Sequence, residues 1–318
     1  MNILITSAGR RVELVKAWKS TALRMLGENT KIFANDINPE ISPACQIADQ
    51  AFKICRCTEP EYAAELLKQS IDNSVSIVIP TIDTELVPLA CNYKAFQEAK
   101  INLIISDLDL IEYCKDKRLT YKFFENLSIK SPRILDPKKL SFPCFVKPIE
   151  GSCGKGTRKI FNSNFITNEE IRNKNNLFQE LVPDDWIEYT ADLYYNKKGV
   201  LKACIPRERL ETRGGEISKG ITRKDNVLDF LIEHLSYLKG ARGVLTIQLF
   251  TDQSRERFIG IEINPRFGGG YPMSHASGVD FPSMIISEYI FSEELNYFDS
   301  WKDNLLMLRY DQMVIVNL

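Results

Sequence analysis

Over the first hundred residues, short apolar runs alternate with amphipathic stretches of helical period. The order is NILITS (2–7), VELVKAWKSTALRML (12–26), KIFAND (31–36), AAELLKQSI (63–71), VSIVIPT (75–81), LVPLACNYKAFQEA (86–99) and INLIIS (101–106). That alternation predicts an open parallel α/β sheet. Ligands of such sheets meet the loops at the carboxyl ends of the strands, here SAGRR (7–11), NDINPE (35–40) and TIDTE (81–85). The first loop holds one glycine and no GxGxxG, which argues against a dinucleotide site and so against a dehydrogenase.

The pattern changes at DLDLIEYCKDKRLTYKFFENL (107–127), which is helical, and a new domain is expected to begin near residue 106. LSFPCFVKPI and TRKIF then read as strands around a glycine-rich turn. LFQELV, EYTADLYYN, VLKACIPRERL, GVLTIQLFT and RFIGIEIN follow as strands joined by short turns or by one helix, VLDFLIEHLSYLK. Strands so closely connected predict a mostly antiparallel sheet, hence an α+β second domain.

Composition narrows the chemistry. With 318 residues and 44% apolar content the chain can bury two real cores. Its 41 basic and 42 acidic residues nearly cancel, so no broad field favours nucleic acid or an anionic membrane. No apolar run approaches the roughly 20 residues of a spanning helix, and a cytoplasmic location is expected. Eight cysteines lie without a CxxC pair and are expected to be reduced thiols. The two histidines, His234 and His275, stand at no metal-ligand spacing, which disfavours zinc.

FVKPIEGSCGKGTRKI (145–160) carries glycines at 151, 154 and 156, with Ser152, Cys153, Lys155 and Thr157 among them. Such a turn can bring backbone N–H groups against phosphates. It departs from the P-loop, because Thr157 rather than lysine follows Gly156. A flap over a nucleotide and an ordinary hairpin loop both fit. Lys147, at the end of an apolar strand below that turn, can meet phosphate as a point cation; so can Lys117, at the start of an amphipathic helix. A solvated strand end and a solvated helix face are the plain alternatives.

IGIEINPRFGGG (259–270) places Glu262, Asn264 and Arg266 at every second position. On one strand they share a face, with Ile261 and Ile263 on the other. A carboxylate with an amide oxygen two residues away suits Mg²⁺, and Gln248, alternating likewise in TIQLF on the expected hairpin partner, supplies a third oxygen. Arg266 is expected one pleat further out, beside a transferred phosphate. An exposed strand face with Glu262 and Arg266 simply paired is the alternative. Gly268 to Gly270 either let backbone approach a ligand or form a turn. For the substrates, PRERLETRGGEISKG (206–220) offers Arg207, Arg209 and Arg213 as an anion clamp, and Asp83 and Glu85 are expected to face one side at a strand end and hold an amino group. A charged hairpin and helix capping are the alternatives.

The succession CKDK, FPCFVKPIEGSCGKG, FQELV, EYTAD, TIQLF, EINPRFGGG resembles the ATP-grasp superfamily, in particular ligases like the carbamoyl-phosphate synthetase large subunit and biotin carboxylase. The likeness spans nearly the whole chain. It implies a Rossmann-like pre-ATP-grasp domain (1–105) and an ATP-grasp fold (106–318), the latter divided into flap and hinge (106–182) and an antiparallel sheet with a metal site (183–318). By resemblance, Lys117, Lys147 and the turn from Ser152 through Gly154 to Gly156 contact ATP phosphates. Gln179, Glu180 and Val182 form the adenine hinge, and Glu188 is the ribose partner. Gln248, Glu262 and Asn264 hold Mg²⁺ or Mn²⁺, and Arg266 with Lys147 stabilises the transfer. The implied reaction is ATP-dependent activation of a small carboxylic acid as an acyl phosphate, then attack by an amine; the implied assembly is a homodimer. A nucleotide-binding protein without activity and a phosphotransferase acting on a hydroxyl are the rivals.

Overall fold

A computed structural model describes residues 1–151 and 156–317. The first hundred residues form a five-stranded parallel sheet from β1 (Asn2–Ile5), β2 (Lys31–Asp36), β3 (Gln50–Lys53), β4 (Val75–Ile79) and β5 (Asn102–Leu103), in the order β3-β2-β1-β4-β5. Strands whose residues are nearly all buried, such as β1, require apolar cover on both faces, and helices provide it. The strand order reverses between β1 and β4, so the crevice of this sheet opens at their carboxyl ends, where residues 7–11 and 81–85 lie.

Next comes a small antiparallel sheet, β7-β6-β8, made of β6 (Cys144–Pro148), β7 (Arg158–Ile160) and β8 (Asn176–Glu180). Helix Lys117–Asn126 precedes it, with Asp116 capping its N-terminus by accepting from the Arg118 amide at 2.8 Å. A six-stranded antiparallel sheet follows in the order β13-β12-β9-β10-β11-β14, built from β9 (Ile187–Tyr195), β10 (Leu201–Arg213), β11 (Glu216–Thr222), β12 (Gly243–Thr251), β13 (Phe258–Asn264) and β14 (Leu306–Leu308). The expected fold class, a parallel Rossmann-like sheet followed by an antiparallel grasp sheet, is the one observed.

The two faces of the large sheet do different work. Ala191, Leu193, Leu245, Ile247, Leu249 and Ile263 turn one face toward Leu231 and Leu235 of helix Asn226–Leu235 and toward Phe124 of helix Lys117–Asn126. Along the other face, the end carrying Tyr194, Ile205 and Val244 is apolar. It merges with Ile3 and Ile5 of the N-terminal sheet, with Trp18 of the helix Val12–Leu26, and with Phe281 and Trp301 in a single core. Further along the same strands that face becomes polar, at Glu188, Thr190, Asp192, Arg207, Arg209, Thr246, Gln248, Glu262 and Asn264. Period-two alternation thus anchors the sheet to the first domain at one end and exposes a polar floor at the other. Among the described residues no helix is long and apolar enough to cross a membrane.

Candidate active site

The floor is set by register. Gln248 lies opposite Glu262 and also opposite Thr190, and Thr246 opposite Asn264, so oxygen-bearing side chains of three adjacent strands point the same way. A bulge between Gln248 and Leu249 takes up one residue of β13 near Ile261 and leaves Glu262 in phase with Gln248. Glu188, on β9, accepts from Arg209 Nη1 at 2.7 Å and from the Gln248 amide. Asn264 Nδ2 donates to Glu262 Oε1 at 3.2 Å. Burial raises the Glu188 pKa, Arg209 and Gln248 oppose that, and the Glu262 charge adds to it.

Two carboxylates that push on one another, each touched by an amide NH₂ and only one of them paired with an arginine, line the floor. Rotating each amide about its last torsion would present an oxygen beside a carboxylate, so Glu188, Glu262, Gln248 and Asn264 form a hard-oxygen set whose chemistry fits a divalent cation such as Mg²⁺. Among the described residues no three histidine, cysteine or acidic side chains gather for a metal, so the fit depends on those amides.

Two lysines oppose this floor. Lys147, on β6, is 4% exposed; its Nζ donates to the Tyr121 hydroxyl at 2.6 Å, which donates to Gln179 Oε1 at 2.6 Å. Burial pushes the Lys147 ammonium down to about 7, against the attraction of Glu262 and with a smaller push from Lys117. Lys117 Nζ donates to the carbonyls of Gly151 at 2.8 Å and Ile149 at 3.5 Å, holding the entry to the glycine turn. Its pKa is lowered by burial and raised by Glu262 and Asp83. Ser152, Cys153 and Gly154 lie outside the described residues. Gly156 takes a φ of 73°, where a side chain would strain the backbone, and an added Cβ would sit 3.1 Å from Pro148.

The hinge residues separate in role. Gln179 is buried and bound to Tyr121, whereas Glu180 at the end of β8 is exposed and paired with Arg133 at 2.7 Å. Val182, half-buried, lies in the connection to β9.

Three expectations are corrected. Arg266 is off the strand: Pro265, which has no N–H for the ladder, follows the end of β13, and Arg266 N instead donates to Asn264 O at 2.8 Å. The Arg266 side chain crosses to the N-terminal domain and pairs with Asp83 at 2.6 Å. Glu85 does not face the same side as Asp83. It is fully buried and accepts from Thr6, Ser7, Tyr62 and the amides of Thr81 and Ile82, which leaves it no capacity for an amino group. Arg213 turns outward to Asp311 at 2.5 Å. Of the three arginines read as a clamp, only Arg209 touches the floor from a partly open position, for Arg207 is buried against Asp192, Ser274 and Thr190. The glycine run is closely lined by side chains. An added Cβ would meet Thr246 Oγ1 at 2.6 Å from Gly268, the Glu216 carboxyl at 2.8 Å from Gly269 and the Arg207 guanidinium at 2.8 Å from Gly270.

Sequence reasoning passed over Tyr121, Arg11, Glu216 and Arg309. Tyr121 had a signal, since it stands four residues after Lys117 on one helix face. Arg309 binds Glu216 at 3.1 Å and the Gly269 carbonyl at 2.6 Å from beyond β14, and no local pattern announces such a contact.

This arrangement has relatives. A model described as the PylC-like N-terminal domain matches residues 3–104, and one described as the ATP-grasp domain matches residues 114–270. Residues 114–270 thus carry an ATP-grasp domain, behind a PylC-like N-terminal domain. No curated protein matches it significantly. Among solved structures, this chain is similar to a biotin carboxylase–β-γ-ATP complex from Campylobacter jejuni, at 14% identity and a TM-score of 0.72, over 96% of this chain and 74% of that one. It is similar to an L-amino acid ligase from Bacillus licheniformis at 18% identity and 0.66, over 91% and 73%. Against pyruvate carboxylase from Rhizobium etli the figures are 14% and 0.67, over 89% of this chain but only 28% of that one. Likeness at these identities establishes a shared fold.

Proposed function

We propose that this ATP-grasp protein is an ATP- and Mg²⁺-dependent carboxylate–amine ligase that forms an amide or peptide-like bond through an acyl phosphate, with release of ADP. The observation that carries the reading is the opposition of Lys117 and Lys147 to the Glu262 carboxylate, whose charge reaches both ammonium groups, over a floor of Gln248, Asn264 and Glu188. A triphosphate held there has cations on one side and hard oxygens for a divalent cation on the other. The metal, when bound, neutralises charge on the transferring phosphoryl group.

This chain's own residues supply the rest. Lys147 and Lys117 meet the phosphates, and Gln179, Glu180 and Val182 line the adenine side. Glu188, with its carboxylate already oriented by Arg209, takes the ribose or joins the metal set. Arg266 lies where the N-terminal domain meets the floor and holds the acyl phosphate, its fork matched to two phosphoryl oxygens. No protein nucleophile is needed, so the scarcity of histidine is no obstacle. Two of the structural relatives, one in complex with β-γ-ATP and one an amino acid ligase, support the same reading.

The test is release of ADP and free phosphate from Mg-ATP over a panel of acid and amine pairs. Both products, dependent on both substrates, are expected. ADP with a stable phosphate ester would assign a phosphotransferase instead, and nucleotide binding without turnover on any pair would assign a binding protein.

A further inference from the structure

The switch point of the N-terminal sheet is occupied by charge. Arg11 follows β1 and Asp83 follows β4, at the two strand ends between which the crevice opens. The other half of the molecule closes over them with Arg266, with Glu216 at the start of β11, and with Arg309, which holds Glu216 in place.

The charges here are not all matched. Arg11 makes one side-chain hydrogen bond, from Nη2 to the Thr81 carbonyl at 2.6 Å, and no ion pair among the described residues. It is half-exposed, yet enclosure by protein lowers its pKa to about 10; Arg266 adds to that, and Glu216, Asp83 and Glu85 oppose it. Asp83 uses Oδ2 for Arg266, while its Oδ1 is buried without a hydrogen-bond partner among the described residues. One guanidinium lacks a carboxylate and one carboxylate oxygen lacks a donor, in the same crevice.

We infer that this crevice binds the amine substrate and that the amine is an α-amino acid, its carboxylate on Arg11 and its ammonium on Asp83 beside Arg266. The inference rests on the ligase reading. An acid with no ammonium leaves Asp83 unmatched and sets its own charge near Asp83 and Glu216. A simple amine leaves Arg11 unmatched. Only a zwitterion answers both, through the paired N–H donors of the guanidinium and through an ammonium–carboxylate contact.

The placement also orders the chemistry. Because Asp83 touches Arg266, an ammonium on Asp83 stands next to the acyl phosphate that Arg266 holds. The ammonium yields one proton to water and the free amine attacks the acyl carbon. The C–N bond forms, the bond from that carbon to the phosphate oxygen breaks, and the second amine proton leaves on hydrogen phosphate. The anchoring carboxylate does not react, so the product is a peptide-like acid with that carboxylate free.

Calorimetric titration of the full chain with the common α-amino acids, with and without Mg-ADP, tests this. For the tightest binder, its N-acetyl derivative and its carboxamide are expected to bind about tenfold or more weakly, as each removes one charge-assisted contact. Arg11→Gln is expected to lose the preference for the acid over its carboxamide and keep that for the free amine. Asp83→Asn should do the reverse, and Arg11→Lys should restore part of the acid preference. If Arg11→Gln does not fold, Arg11→Lys and the two modified ligands read the same discrimination in folded protein. Absence of amino-acid binding at millimolar concentration, equal binding of the blocked compounds, or variant losses that do not sort by group would overturn the inference. Failure to bind Mg-ADP would count against the ligase reading alone, because the titration without nucleotide still judges the crevice.

Discussion

Replacing Lys147 by methionine separates the cost of a buried ammonium from its use. The side chain is 4% exposed, and burial brings its pKa from 10.5 to about 7. At neutral pH, folding must therefore strip or desolvate a proton that the unfolded chain holds freely; about three units at 1.36 kcal/mol each come to roughly 4 kcal/mol. Methionine fills the same unbranched space, while the contact of Nζ with the Tyr121 hydroxyl, about 1 kcal/mol, is lost. A net gain of roughly 2 to 3 kcal/mol at pH 7 is expected, read as a higher urea midpoint without nucleotide. The sign with pH follows from proton counts. Between the folded value near 7 and the unfolded value of 10.5 the unfolded chain binds more protons, so the parent protein gains stability as pH rises through that window. The variant should lack that part of the slope and should lose Mg-ATP affinity. A lower midpoint than the parent at pH 7, or an unchanged pH slope, refutes the reasoning.

Three further outcomes follow from the same contacts. Tyr121→Phe leaves Gln179 Oε1 buried without its donor and should cost about 1–3 kcal/mol of unfolding free energy in urea. Gly270→Ala should cost more than Gly269→Ala, by about 1 kcal/mol or more in the same assay, because Arg207 is buried in an ion pair and cannot yield, whereas Glu216 is partly exposed and can swing aside. Glu85→Gln puts two donor hydrogens among groups that already donate, and a loss of about 3 kcal/mol with a lower melting temperature is expected.

Much of the fold was legible because it is written in periodicity. β1, β2 and β4 read as short apolar runs, and alternation put Gln248, Glu262 and Asn264 on one face, as the register of β12 and β13 has them. The errors came from features that periodicity does not carry. Arg266 was extrapolated along a strand that Pro265 had already ended. Glu85 was assigned by spacing from Asp83, but the chain turns there in a 3-10 helix, and the carboxylate rotates inward to five donors brought from three separate segments. Arg207, Arg209 and Arg213 look alike in sequence; their partners Asp192, Glu188 and Asp311 come from other strands or from far along the chain, so only the fold tells a buried pair from a surface one. Arg11 lies in a loop at the carboxyl end of β1, where ligands are expected, but only the residues packed opposite it, Arg266 and Glu216, give it a role.

The shared core of Trp18, Tyr194, Phe267, Phe281 and Trp301 gives the molecule one cooperative unit where its sequence suggests two modules. Severing the chain near residue 105 would lay bare an apolar surface on both fragments, mostly aliphatic around Trp18 on one and aromatic on the other, so neither half is a self-sufficient part for transplantation. Fusing the grasp half to a foreign partner would have to rebuild that wall first. The distance from Arg11 to Arg266 is consequently set by packing in the interior, as rigidly as the spacing of two residues on neighbouring strands.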